Sequence, residues 1–381
     1  MDLLKIRDQI DAIDSEIVSL YEKRMQCVKD VATYKIESGK EIFDRKREES
    51  KIKALTGLVA DDNNQFAIEQ LFTQIMTMSR KMQYGLIAEN ANDEGKKFGK
   101  VDSLRDNNIK VAFQGAKGAY SHLAMKEYFG EAVDAVNVET FYDAMQLIAE
   151  GGADYAILPI ENSSAGSINE VFDLLVRFDN YIVAEQIIKI QHYLLGVKGA
   201  KVEDIDTVYA HPQSFMQSTK FINAHPDWLC VNLKNNAFAA NKVAQENNKN
   251  QAAIASAWAG EYYGLEALAK GINDNDSNET RFIVIANKKI CEENANKISI
   301  CFELPDESGA LYRALSHIIY NNINMTKIES KAIGDMKWQY RFFLDIEGNL
   351  TDAPIRNVIT SLKDEVINFR ILGNYYSNTK I

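Results

Sequence analysis

The first long helical segment carries two cations where chemistry could begin. Apolar residues recur at alternating steps of three and four, which is typical of a helix packed against another helix. They are Leu3, Ile6, Ile10, Ile13, Ile17 and Leu20 and, after an interruption, Cys27 and Val31. Arg24 occupies the interrupted position, and Lys35 lies three turns further along the same face, roughly 16 Å away. Arg24 either reaches water from an exposed helix end or pairs with an anion inside the bundle, because a buried unpaired cation is costly.

Two further segments bring polar side chains to positions expected to be buried. Asp44, Arg47 and Glu48 share one helix face through their i, i+3, i+4 spacing. Ser79 and Gln83 lie on or beside an apolar stripe, where polar groups need partners or a ligand. Surface ion pairs are the ordinary alternative. No nucleophile–base pair and no metal-ligating set accompanies these residues, so they indicate chemistry by positioning and charge stabilisation.

Helices must position these side chains. Residues 1–87 contain no proline, and their pattern predicts helices to about residue 38, over about 45–58 and over about 64–86. So long a first helix needs a packing partner, which the other chain of a dimer would supply.

This segment resembles the all-helical chorismate mutase domain. The resemblance implies an intertwined dimer that rearranges chorismate to prephenate without acid, base or covalent intermediate. It also implies that Arg7, Arg24 and Arg47 bind the two carboxylates, with Arg7 reaching the other chain's site. Lys35 and Gln83 would donate to the ether oxygen, and Glu48 and the Asp44 region would hold the ring hydroxyl. The implied chorismate residues are Arg7, Arg24, Lys35, Asp44, Arg47, Glu48, Ser79 and Gln83.

Residues 109–289 change to an α/β pattern, after a polar stretch over 88–108 that we interpret as a linker. Short apolar strands alternate with helices, which favours a largely parallel sheet in two lobes with a cleft. Four turns there open helices and offer free N–H groups to anions, or serve only as caps. The turns are "GAKGAYS", "PIENSSAGSI", "AHPQSF" and "IASAWAG".

Together with "NETRF" (residues 278–282), these turns resemble prephenate dehydratase. The resemblance implies a two-lobed fold similar to type II periplasmic binding proteins, with prephenate in the cleft losing carbon dioxide and its ring hydroxyl. It makes Thr280 the main catalytic residue, donating to the leaving hydroxyl, while Arg281 binds a carboxylate or buttresses the site. The implied prephenate residues are Ser121, Glu161, Asn162, Ser163, Gln213, Ser214, Thr280, Arg281 and Phe282.

Residues 296–381 follow the order βαββαβ of the ferredoxin-like unit and resemble the ACT regulatory domain. The resemblance implies feedback binding of L-phenylalanine, or a role only as a dimer contact. Lys331 and Ala332 replace the usual arginine and proline, and lysine lacks the bidentate fork. The implied phenylalanine residues are Ser308, Gly309, Ala310, Leu311, Glu329 and Ser330.

Bulk properties agree with a multidomain enzyme. At 381 residues, two or three domains are expected. The net charge of −11 argues against nonspecific nucleic-acid binding. Without a signal peptide or an apolar run that could span a membrane, a cytoplasmic location is expected. The scattered cysteines predict reduced, mostly buried thiols, and the five dispersed histidines predict structural roles.

Together these resemblances imply a bifunctional chorismate mutase and prephenate dehydratase, regulated by L-phenylalanine, without metal or organic cofactor, and assembled as a homodimer or higher homo-oligomer. The alternatives are an enzyme with one inactive site and a small-molecule-sensing regulator with one or both sites inactive.

Overall fold

The computed structural model describes residues 2–88, 94–106, 108–334 and 339–378. The chain divides into two compact units, Met1–Lys97 with Lys297–Ile371 and Phe98–Asn296 with Leu372–Ile381. The described helices are α1 (Leu3–Ser38), α2 (Arg45–Thr56), α3 (Gln65–Ala88), α4 (Tyr120–Phe129), α5 (Phe141–Ala149), α6 (Asn169–Arg177), α7 (Pro212–Met216), α8 (Thr219–Asn223), α9 (Asn236–Glu246), α10 (Ala257–Tyr263), α11 (Ala310–Tyr320) and α12 (Ala353–Glu365). The described strands are β1 (Gly99–Val101), β2 (Lys110–Gln114), β3 (Asp134–Val138), β4 (Tyr155–Asn162), β5 (Gly166–Ser167), β6 (Tyr181–Lys189), β7 (Tyr193–Gly196), β8 (Thr207–Ala210), β9 (Leu229–Asn232), β10 (Gln251–Ala255), β11 (Glu266–Lys270), β12 (Glu279–Ala286), β13 (Ile290–Glu292), β14 (Lys297–Glu303), β15 (Met325–Ala332), β16 (Tyr340–Glu347) and β17 (Ile367–Tyr376).

The first unit begins with the three predicted helices. Asp2 caps α1 by accepting a hydrogen bond from the Leu4 N–H at 3.1 Å, and Gly39 ends the helix in the left-handed conformation with φ 65°. Asp44 caps α2 in the same way as Asp2 caps α1. The prediction of three helices is confirmed, with α2 ending two residues earlier than expected.

The buried face of α1 differs from the predicted seam. Met25, Val28 and Ala32 are buried where α1 packs against α3, whereas Cys27 and Val31 are exposed. Within one chain α3 therefore covers a neighbouring face of α1, and Cys27 and Val31 lie exposed like most of the seam residues before Arg24. The apolar residues from Leu3 to Leu20 leave a largely exposed stripe on this single chain.

The other part of the first unit has the order β14-α11-β15-β16-α12-β17, which confirms the predicted βαββαβ unit. Its strands lie in the spatial order β15-β16-β14-β17, with β16 antiparallel to both neighbours. Helix α12 packs against both α11 and α3. The first unit thus joins the N-terminal helices to this C-terminal subdomain.

The second unit contains two sheets. One has the order β6-β12-β4-β2-β3, in which β12 runs antiparallel to β6 and β4. The other has the order β11-β7-β10-β8-β9, in which β7 runs antiparallel to β10 and β11. Two lobes are confirmed, but the expectation of a largely parallel sheet was wrong, because each lobe inserts antiparallel strands between or beside its parallel pairs.

Apolar side chains cover both sheets. Val111, Phe113 and Ile157 pack with α4 on the first sheet, and Val208 and Ile254 belong to the core of the second. β17 enters the second unit at Leu372, where its end pairs in parallel with β6.

Three further expectations can be compared with the structure. Cys291 and Cys301 are buried but Cys27 and Cys230 are exposed, so the thiols are not mostly buried. The proposed linker is not featureless, because β1 pairs with β13; its residues 89–93 and 107 lie outside the described ranges. Among helices of the described residues, none has the length and apolar content needed to cross a lipid bilayer.

Candidate functional sites

A cavity of about 310 Å³ opens between the three N-terminal helices. Its lining includes seven of the eight predicted chorismate residues. These are Arg24, Lys35, Asp44, Arg47, Glu48, Ser79 and Gln83. The eighth, Arg7, lies exposed on α1 and does not line this chain's cavity.

Two cations of this cavity, Arg24 and Lys35, form no ion pair with a carboxylate among the described residues. The Arg24 Nη1 donates to the Ser79 Oγ at 2.5 Å, and the Lys35 Nζ donates to the Ile42 carbonyl at 2.6 Å. Burial lowers the pKa of Arg24, against the charge of Glu48. Burial and then the charge of Arg47 lower the pKa of Lys35. Both cations would be stabilised by an anion placed between them.

The Gln83 amide is buried, with 7% of its surface exposed. Its Nε2 donates to the Ser79 carbonyl at 3.3 Å, while its Oε1 has no hydrogen-bond partner among the described residues. A buried polar atom without a partner costs free energy, and because this oxygen is an acceptor, only a ligand group that donates a hydrogen bond would relieve it.

Sequence reasoning missed Arg80 among the residues that line this cavity. Glu48 accepts a hydrogen bond from the buried Arg80, which also lines the cavity. Asp44 has a capping role in addition to its predicted one, since its Oδ1 accepts from the Arg47 N–H at 3.1 Å.

The second unit contains a cavity of about 420 Å³. Six predicted prephenate residues line it: Ser121, Asn162, Gln213, Ser214, Thr280 and Phe282. The lining also includes residues at the starts of α4 and α9, and the first turn of a helix offers backbone N–H groups that suit anions. Among the described lining residues none is an Asp, Glu, Lys or Arg. An anionic ligand would therefore be held by N–H groups, hydroxyls and amides.

The position of the Thr280 hydroxyl is fixed by Asn162. The Asn162 Oδ1 accepts from the backbone N–H groups of Ser164 and Ala165 at 3.0 and 2.9 Å, which fixes the orientation of the amide. Its Nδ2 then faces the Thr280 Oγ1 at 2.9 Å and donates to it. Because the Thr280 oxygen already accepts, its own proton is available to a group in the cavity.

Three predicted residues lie away from this lining: Glu161, Ser163 and Arg281. Side chains alternate along β12, so Arg281 points to the face opposite Thr280 and Phe282. There its guanidinium lies 3.2 Å from Glu185 and 3.5 Å from Glu161. The Ser163 Oγ accepts from the Glu279 N–H at 2.9 Å. The expectation that Glu161 and Ser163 line the cavity was wrong, and Arg281 lies beside two carboxylates outside the cavity.

The cavity also contains residues that the sequence analysis missed. Asn235 caps α9, and Asn236 donates to the Ser214 Oγ at 2.6 Å. His192 is buried and its Nε2 lies 2.9 Å from the Gln217 Oε1; burial lowers the pKa of His192, against that hydrogen bond. The pair Asn235-Asn236 before an apolar-periodic helix was the available signal.

The predicted phenylalanine residues lie at two places in the C-terminal subdomain. Gly309 has φ 76° and precedes α11, with Ser308 and Leu311 exposed beside it and Ala310 buried. Glu329 and Ser330 lie on β15, the edge strand of that sheet.

The chain matches the prephenate dehydratase family over residues 111–290 and the chorismate mutase type II family over residues 6–84. It is 33% identical to a bifunctional chorismate mutase/prephenate dehydratase of Enterobacter agglomerans, over 100% of this chain and 97% of that protein. A structure of prephenate dehydratase from Arthrobacter aurescens in complex with L-Phe has a TM-score of 0.65 and 27% identity, covering 71% of this chain and 90% of that one. A structure titled GqqA, a quorum quenching acylase, has the same TM-score and 29% identity, covering 71% of this chain and 98% of that one.

Proposed function

Because the chain belongs to the family of bifunctional chorismate mutase/prephenate dehydratases, it is a chorismate mutase and a prephenate dehydratase of phenylalanine biosynthesis, and we propose which of its residues serve each reaction. The main support for the assignment of sites is that each cavity gathers residues predicted for one of the two substrates. We propose domains at 1–87 (mutase), 109–289 (dehydratase) and 296–381 (ACT regulatory), with 88–108 between the first two.

In the mutase site, the cavity between α1, α2 and α3 holds chorismate. Arg24 and Arg47 bind its carboxylates, since the guanidinium fork matches a carboxylate. Lys35 and Gln83 donate to the ether oxygen, where negative charge grows as the carbon–oxygen bond breaks. Glu48 accepts from the ring hydroxyl. The lowered pKa of Lys35, a partly buried cation, supports a site that is completed by an anionic ligand.

A second copy of the chain completes this site. The apolar stripe of α1 includes Ile10, Ile13 and Ile17, which are 50%, 57% and 55% exposed on one chain. Such a stripe along a 36-residue helix fits another α1. Arg7 lies on the same helix and would reach the partner's cavity, so we propose a homodimer or a higher homo-oligomer.

In the dehydratase site, prephenate occupies the cavity of the second unit. Thr280 keeps its proton and donates a hydrogen bond from its hydroxyl to the ring oxygen as that oxygen leaves as hydroxide, because Asn162 already donates to the threonine oxygen. Ser121, Gln213 and Ser214, with the N–H groups at the starts of α4 and α9, hold the carboxylates. Loss of carbon dioxide then supplies the electrons that expel the hydroxyl as the ring becomes aromatic.

The C-terminal subdomain is proposed to bind L-phenylalanine. The structure of the Arthrobacter aurescens relative contains L-Phe, and the left-handed Gly309 before α11 allows a close approach of backbone to ligand. Glu329 and Ser330 would contribute from β15. A role only as a dimer contact remains the alternative, and the expected cytoplasmic location remains a prediction.

The decisive experiment incubates purified protein with chorismate and measures phenylpyruvate. Arg24→Ala should abolish prephenate formation and leave conversion of added prephenate unchanged, and Thr280→Ala should do the reverse. Loss of both activities in either folded variant would contradict the assignment of separate sites. Full-length similarity to curated bifunctional enzymes disfavours the alternative of a regulator without activity.

A further inference from the structure

Arg80 lies at the centre of a chain of ionisable side chains in the first unit. It is 3% exposed, its Nη1 donates to the Glu48 carboxylate, and its Nη2 lies 3.2 Å from the Thr77 Oγ1. Its Nε lies 3.1 Å from Glu365 on α12, and the other oxygen of Glu365 lies 3.1 Å from the His317 Nε2. A side chain on α3 thus connects a mutase-site carboxylate to the C-terminal subdomain.

The surroundings of Arg80 fix it in this position. Glu365 is only 5% exposed, and the Arg80 guanidinium also stacks over the Phe43 ring at 4.8 Å. Burial works to lower the pKa of Arg80, but the charges of Glu365 and Glu48 raise it above its ordinary value. Removing one partner of such a buried pair leaves an uncompensated charge, so Arg80 cannot easily leave its carboxylates.

Arg80 and Glu48 also separate two cavities. Both residues line the mutase cavity, and both line a second cavity of about 190 Å³ between the N-terminal helices and the C-terminal subdomain. Glu365 lines only the second of these cavities. A change at Glu365 can therefore reach the mutase cavity through Arg80 without altering that cavity's own lining.

The consequence for Glu48 is geometric and electrostatic. With one carboxylate oxygen held by Arg80, Glu48 keeps the other for a ligand hydroxyl. Arg80 also offsets the negative charge of Glu48 in a cavity that receives a dianion. Glu48 alone would be free to turn toward Arg47 or Lys35, which the substrate needs.

We propose that Arg80 is a positioning residue of the mutase reaction, which aims Glu48 at the ring hydroxyl of chorismate and is itself held by Glu365 of the C-terminal subdomain. This inference rests on the proposed mutase site. It makes a C-terminal side chain part of the support of an N-terminal active site.

The test uses the full-length protein and measures both reactions in each preparation. Arg80→Met removes both the positive charge and the bidentate guanidinium group. Mutase KM should rise and kcat should fall at least about tenfold, because one charge-assisted hydrogen bond is lost. Arg80→Lys keeps the charge without the fork, so KM should return toward the wild-type value while kcat stays low. Glu365→Gln should lower mutase kcat and leave the dehydratase unchanged.

Matched controls separate this role from a general loss of structure. Lys46→Met removes an exposed cation of α2, and Glu347→Gln an exposed carboxylate of β16; neither should alter mutase kinetics. The double variant Arg80→Lys/Glu365→Gln should lose less than the sum of the single losses, because both changes break the same connection.

The outcomes distinguish this inference from the proposed site. Mutase activity that is lost in Arg24→Ala but normal in Arg80→Met and Glu365→Gln would overturn the positioning role alone. Equal losses of mutase and dehydratase activity in the Arg80 variants would also overturn it, since a structural defect would then suffice. A wild-type protein without mutase activity would overturn both proposals.

Discussion

Replacing Thr280 by valine tests the dehydratase chemistry without disturbing its scaffold. Valine keeps the β-branched shape that suits a strand and removes only the hydroxyl. The Asn162 Nδ2 loses an acceptor at 2.9 Å but retains the Asn278 Oδ1 at 2.8 Å and the Glu279 carbonyl at 3.0 Å. The free energy of unfolding should therefore change by less than about 1 kcal/mol.

The effect on catalysis should be far larger than the effect on stability. A donor aimed at developing charge in a transition state contributes about 3–4 kcal/mol, so kcat for phenylpyruvate formation from prephenate should fall about 100- to 1,000-fold. KM should change little, because the carboxylates are held elsewhere in the cavity. Mutase activity in the same sample serves as an internal standard.

Thr280→Ser is the matched control, since it retains a hydroxyl on the same carbon and should keep most of the rate. A kcat for Thr280→Val within about threefold of the wild-type value, in protein with normal thermal unfolding, would refute the assignment of Thr280 as the donor, because the expected loss is at least about 100-fold.

Three further predictions concern other parts of the chain. If the proposed homo-oligomer forms through α1, Ile13→Asp or Ile17→Asp should convert it to a monomer in light scattering and abolish mutase activity; an intact oligomer would contradict the α1 interface. Burial and the charges of two nearby lysines lower the pKa of His122 to about 4, below its unfolded value of about 6.5. The unfolded chain therefore binds a proton at this residue before the folded protein does, so the free energy of unfolding should decrease as pH falls from about 6.5 toward 4. Because the ring is partly screened, His122→Gln should reduce the stability difference between pH 7 and 5 by only about 1 kcal/mol, and an unchanged difference would exclude the effect. Gly373→Ala should lower the free energy of unfolding of the second unit by about 1–3 kcal/mol or more in denaturant, because an added Cβ would lie 2.0 Å from the Ile182 carbonyl oxygen. Unchanged stability would show that β17 and β6 can move apart to admit the methyl group.

The elements of both units could be predicted because their signals are local. Hydrophobic periodicity and caps such as Asp44 lie within a few residues of the structure that they determine. The mutase residues could be found for a related reason, since helical spacing alone places Arg24 and Lys35 on one face. Alternation along β12 was also available, and it would have separated Arg281 from the cavity that contains Thr280.

The remaining features depend on contacts between distant parts of the chain. Arg80 is a cation on a helix, and charged residues are usually exposed, so only its approach to Glu365, far along the sequence, makes it a buried centre. The face of α1 that packs against α3 was missed for the same reason, because only the folded chain shows which face α3 covers. The antiparallel insertion of β12 into the first sheet likewise follows from chain topology, which periodicity does not encode.

The last strand limits how this enzyme can be divided. β17 belongs by sequence to the C-terminal subdomain, yet Gly373 and Tyr376 pair with β6, which is also the neighbour of β12. A dehydratase fragment that stops at Asn296 would leave the edge of β6 bare, and a bare edge invites aggregation. A separately expressed dehydratase would have to include the end of β17, for example in a circular permutant that places this strand ahead of residue 98.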